Sequence, residues 1–194
     1  MGQFRYEFEK VNIENMPKRI SRVYEMVFEE ISKENIYVAR DKAKDVLELC
    51  LKYPIILFFS YMEEYIMDDD NEIDDIRIMY PKALRIVESI LERKISLGDW
   101  QELCHDIGLL RDEDIPVNNK NIKICYNLLA VMKDISPAYL NMRWFNGKNF
   151  AAVRNTVWGH SATNTDINEA YDILEKLIKT INSILSLSKY IFIE

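Results

Sequence analysis

Apolar residues in this chain recur at steps of three and four, and almost nothing interrupts them. Only 5 Gly and 5 Pro occur in 194 residues, and no stretch is rich in Gly, Pro or Ser. A three-to-four step is the period of an α-helix whose one face is buried, whereas a half-buried strand alternates at two. The pattern therefore predicts an all-α chain: an up-and-down bundle of five or six helices, forming a single domain over 1–194.

The stripes place the helices. A first follows Asn15, with Pro17 tolerated in its first turn and Met16, Ile20, Val23, Val27 and Ile31 on one face. A second runs from about Ala39 through Ala43, Val46, Cys50 and Tyr53; Pro54 kinks or ends it before Leu57, Phe58, Tyr61 and Tyr65 resume the stripe. A third starts near Pro81 and carries Leu84, Val87, Ile90 and Leu91. Residues 97–110 form a short helix before a loop at 111–119. Ile122, Cys125, Leu128, Leu129, Met132 and Ile135 define the next, stopped before Pro137, and 147–158 make another. The last is the clearest, with Asp166 and Glu169 at capping-box spacing. Its apolar stripe runs through Ile167, Ala170, Tyr171, Leu174, Leu177, Ile178, Ile181, Ile184 and Leu185. Tyr190 to Glu194 is β-rich in composition and reads as a possible start of a further element.

Charge and cysteine usage narrow the classes. The net charge is −7, which argues against non-specific nucleic-acid binding by the whole surface. The charge is uneven, however. Eight acids and no base lie between 63 and 75, while six bases (Lys120, Lys123, Lys133, Arg143, Lys148, Arg154) face only Asp134 between 120 and 160. An acidic protein can thus present one basic face, although solvated surface is the plainer account of both stretches. Three scattered cysteines, Cys50, Cys104 and Cys125, suit a reducing compartment. The opening residues carry no apolar signal, and Tyr6 stands where a myristoylation site has Ser or Thr. The longest charge-free apolar run, Tyr53 to Met62, is about half of what a bilayer needs. The expectation is a soluble, cytoplasmic protein without a membrane span.

Most chemistries lack their residues. There is no glycine-rich phosphate loop, no Gly-x-Ser-x-Gly and no His-Glu-x-x-His. The acidic stretch lacks the alternating ligands and turn glycine of a calcium loop. His105 has no second ligand at helical spacing and reads as a partly exposed structural residue. No metal and no cofactor is implied.

His160 has different company. On a helix from Gly147, Phe150, Val153 and Val157 share a face, and Arg154 lies beside it, one turn from both Phe150 and Trp158. A guanidinium along an aromatic ridge wants an anion. On a straight helix His160 would sit about 120° from Arg154, but Gly159 favours fraying that lets it swing back. The segment Arg154-Asn155-Thr156-Val157-Trp158-Gly159-His160 resembles the motif of HEPN domains: Arg-x(4–6)-His, commonly with Asn after the Arg and Gly before the His. Its place before a polar loop and a long final helix agrees as well, and the resemblance covers roughly 120–190. The chain departs from the family at Ser161, where many motifs have a second Gly.

The resemblance implies a HEPN-like bundle and a metal-independent endoribonuclease in a toxin or phage-defence role, cutting RNA by attack of its own 2′-hydroxyl. Arg154, Asn155 and His160 would be catalytic, and the site would form between two copies in a homodimer. Lys120, Lys123, Arg143 and Lys148, with Trp158 for stacking, would bind the RNA. The same family resemblance would pair such a toxin with an antitoxin; another reading is a non-catalytic HEPN-type module that binds a protein partner or forms part of a larger defence or sensor assembly. In the plainest account, Arg154 is a salt-bridged core residue and His160 a helix cap.

Overall fold

The computed structural model describes residues 7–66, 81, 88, 97–114, 127–135 and 166–187. Every regular element among them is helical, so the all-α expectation holds there. The helices are α1 (Lys18–Ser32), α2 (Ile36–Ile66), α3 (Leu97–Gly108), α4 (127–135) and α5 (Ile167–Leu187), with one 3-10 turn at Asp112–Asp114. No described helix is long and apolar enough to cross a membrane.

The chain divides into two compact units, one comprising Met1–Cys50 and Leu140–Glu194, the other Leu51–Tyr139. In the first, buried side chains come from α1 (Ile20, Tyr24, Val27), the first half of α2 (Ile36, Ala39, Ala43, Val46, Leu47, Cys50) and α5 (Ala170, Ile173, Leu174, Leu177, Ile178, Ile181, Ile184, Leu185). Each large apolar group so buried contributes about 1.5–3 kcal/mol. The expected stripe of α5 is therefore present, with three adjustments. Ile167 is exposed, Tyr171 is half-buried, and Ile173, absent from the predicted set, is buried.

Helix boundaries depart from the sequence reading where capping chemistry differs. Pro17 is the N-cap of α1, not a residue of its first turn, and its carbonyl accepts the N–H groups of Ile20 and Ser21. The same helix buries Tyr24, which no expected stripe contains, while Val23 is only half-buried. At its other end Glu34 N–H bonds the Ile31 carbonyl and Asn35 N–H the Glu30 carbonyl. That is a Schellman closure with Glu34 in the left-handed position, at φ 60°. The chain turns so tightly that α2 starts at Ile36, three residues before the expected Ala39, with the Asn35 carbonyl accepting from Ala39 N–H.

Pro54 does not end α2. It lies inside a helix that continues to Ile66, although it removes one intrahelical donor, a cost of about 3 kcal/mol. Leu51, Ile55 and Phe58, all fully buried on either side of it, offset that cost by packing.

In the second unit, α3 buries Leu97, Leu103, Cys104 and Ile107, and α4 buries Leu128, Leu129, Val131, Met132 and Ile135. The two helices approach so closely that a Cβ added to Gly108 would stand 3.1 Å from the Lys133 Cα. The Cys104 thiol donates to the Met132 carbonyl across the same contact at 3.7 Å. His105 is exposed in the last turn of α3, where a cation is favoured by the helix dipole. Pro81 and Glu88 are helical, as expected near the start of a third helix. The remainder of that helix, the acidic stretch 68–75 and the helix at 147–158 lie outside the described residues.

Candidate functional site

The motif residues Arg154, Asn155 and His160 lie outside the described residues, as do Lys120, Lys123, Arg143, Lys148 and Trp158. The described chain resumes at Asp166, six residues after His160. Its carbonyl accepts the Ala170 N–H that opens α5, and its carboxylate accepts from the Asn168 side chain at 3.3 Å. The amphipathic helix expected to follow the motif thus begins where the sequence puts it, within a residue.

Two arrangements in the first unit can do chemistry. One is a groove of about 410 Å³ between residues 7–11 and α5. The non-helical segment 7–11 is laced down at four successive residues. Phe8 stacks on Tyr171 of α5, with ring centroids 6.5 Å apart, and Lys10 Nζ lies 5.8 Å from the centre of the Phe28 ring of α1. Between them the Asn182 amide donates to the Glu9 carbonyl at 2.8 Å, and Val11 N–H donates to the Tyr24 hydroxyl at 3.1 Å. That hydroxyl in turn donates to Asn182 Oδ1 at 2.7 Å, closing the network. Desolvation by burial, foremost, raises the Tyr24 pKa above its ordinary value, and the bond from Val11 pulls the other way.

Phe8, Val11 and Ile178 are among the residues lining this groove, and so are the acidic Glu7, Glu9 and Glu175. Among the described residues, Lys179 pairs with Glu175, at 2.7 Å. Ser183 and Ser186 donate their hydroxyl protons back to the carbonyls of Lys179 and Asn182, so they face the groove as acceptors. A surface of this kind repels phosphate and suits a cationic, partly apolar group.

The other arrangement is a buried guanidinium. Arg40, on α2, is 1% exposed, and among the described residues its Nε and Nη1 have no hydrogen-bond partner. Nη2 makes a single 3.3 Å contact with Asp41, whose side chain is half exposed. The Tyr37 ring centre lies 5.6 Å from the guanidinium carbon. Leaving a buried charged donor unfilled costs about 1–3 kcal/mol or more. Sequence reasoning misses Arg40 because the expected stripe of α2 starts at Ala39. Begun at Ile36, the buried face reads Ile36, Ala39, Arg40, Ala43, Val46, Leu47, and a lone arginine inside it is the signal.

No family model, no curated protein and no solved structure matches this chain.

Among the described residues, Cys50 and Cys104 offer no competing chemistry. Burial pushes the thiols of Cys50 and Cys104 up to about 12, so both are protonated and non-nucleophilic near neutrality.

Proposed function

We propose that this chain is a metal-independent endoribonuclease of HEPN type, with Arg154, Asn155 and His160 as its catalytic set. The observation that carries the reading is the segment Arg154-Asn155-x-x-x-Gly159-His160, set just before the long amphipathic α5. His160 supplies an imidazole, which can take the proton of the 2′-hydroxyl or give one to the leaving oxygen. Arg154 carries a permanent planar charge for the non-bridging oxygens of the phosphorane. Asn155 orients the phosphate or the imidazole.

Cleavage then runs by attack of the 2′-oxygen on the adjacent phosphorus, with departure of the 5′-oxygen and a 2′,3′-cyclic phosphate left behind. Two copies of the motif form the composite site, so the active species is a homodimer. A toxin or phage-defence role, restrained by an antitoxin-type partner, belongs to the same proposal. The test is end-group analysis by mass spectrometry after incubation with single-stranded RNA in EDTA. Cyclic or 3′-phosphate ends on RNA, with the matching DNA intact, support the reading; cleavage of both overturns it.

A second reading, a non-catalytic module that docks a protein partner, is favoured by the groove along α5. Its three acidic residues beside apolar lining residues fit a basic segment of another protein.

A further inference from the structure

The N-terminal end of α2 lacks what a helix of its length ordinarily attracts. α2 runs for 31 residues, yet no acidic side chain occupies its first turn. The Ile36 N–H is met by the Glu34 carbonyl, and the helix dipole makes such an end receptive to negative charge. Glu30, near the end of α1, is already committed to Lys33 and to the Asn35 amide, each at 2.8 Å. Arg40 sits just inside the same end. Helical side chains lean toward the N-terminus, and the guanidinium lies against Tyr37, the second residue of the helix.

Two independent deficits thus coincide. The helix end lacks an anion, and Arg40 carries two buried donors with no acceptor among the described residues. We propose that Arg40 and the first turn of α2 form a binding site for a phosphate-class anion. Phosphate is the best match, because it offers several strong acceptor oxygens to a guanidinium fork at the positive end of a helix. Asp41 is the stand-in: its one long contact is a poor substitute for a bidentate partner. The site lies close to water, since Tyr37 and Val38 on the same turn are 38% and 45% exposed. This site stands independently of the ribonuclease reading, and its ligand is either a free phosphate or a phosphate of a nucleic-acid backbone.

The experiment compares the full chain with Arg40→Gln and Asp41→Asn, titrating inorganic phosphate against chloride at matched ionic strength and reading thermal midpoints. At about five times its Kd, phosphate raises the wild-type midpoint by roughly 2–4 °C beyond chloride. Arg40→Gln weakens phosphate by about 10–100-fold, the worth of a hydrogen bond to a charged group. Asp41→Asn tightens it, because the competing carboxylate is gone. A cleavage-resistant 2′-O-methyl RNA distinguishes the sources. Phosphate-competed RNA binding that is lost in Arg40→Gln names the backbone, and a response to inorganic phosphate alone names a small anion. A wild-type midpoint that moves no more in phosphate than in chloride overturns the site. So does a phosphate response that Asp41→Asn leaves unchanged or weakens, whether or not Arg40→Gln folds.

Discussion

The Tyr24 hydroxyl donates a 2.7 Å hydrogen bond to Asn182 Oδ1, joining α1 to α5 across 158 residues of sequence. The same two side chains also hold the backbone of Glu9 and Val11, so one polar pair fastens two helices and the segment that crosses them.

Tyr24→Phe keeps the ring and removes only the hydroxyl. Val11 N–H and Asn182 Oδ1 then lose their partner in a part-buried setting, and unfolding stability falls by about 1–3 kcal/mol. Asn182→Ala releases the Glu9 carbonyl, so limited proteolysis within residues 7–11 becomes faster than in the wild type. Chemical denaturation and timed digestion followed by mass spectrometry check the two effects separately.

Glu34 occupies the left-handed position of a Schellman closure at φ 60°, where a side chain is disfavoured and glycine is not. Glu34→Gly stabilises the chain by about 1 kcal/mol, and the shift in the urea midpoint measures it. Glu34→Val, β-branched at the same φ, moves the midpoint the other way.

How far the sequence alone reaches depends on what fixes each feature. Five turns of apolar stripe in α5 are set by periodicity, and there the reading holds almost residue for residue. Tyr24 is invisible to it because its burial depends on a hydroxyl partner on a helix 158 residues away, which no local pattern encodes. Pro54 reads as a possible stop because local propensity counts the lost donor, while the burial of Leu51, Ile55 and Phe58 is a tertiary quantity. The motif at 154–160 is legible as chemistry from residue types and spacing. Whether it is assembled is a matter of geometry outside the described residues. Arg40, which breaks the pattern of its own helix, is legible only once the start of α2 is known.

Gly108 packs against the backbone of α4, with the nearest atom of Lys133 3.1 Å from where a Cβ would stand. Backbone cannot rotate aside as a flexible side chain can. Gly108→Ala therefore destabilises by about 1–3 kcal/mol, despite alanine's better helix propensity, and thermal denaturation shows the direction.

Alkaline pH acts through the buried thiols. Their folded pKa values of about 12 stand above the unfolded value of about 8.5. Stability from keeping them protonated is fully present below about pH 8.5 and is lost as pH rises toward 12. The loss reaches about 2–3 kcal/mol per thiol by about pH 10.5, and Tyr24, raised in the same direction, adds to it above about pH 10. Urea midpoints at about pH 8 and about pH 10.5 measure the fall, and the Cys50→Ala/Cys104→Ala double variant shows a shallower one.

The proposed ribonuclease activity rests on His160. The decisive measurement is the initial rate of single-stranded RNA cleavage in EDTA by the wild type and by His160→Ala, purified identically and matched in circular dichroism. Removing the proton-transfer group lowers the rate by about 10²–10⁴-fold, and Arg154→Lys, which keeps charge but loses the planar fork, also falls well below wild type. Cleavage that persists undiminished in His160→Ala, or that appears only when magnesium is added, contradicts the proposal.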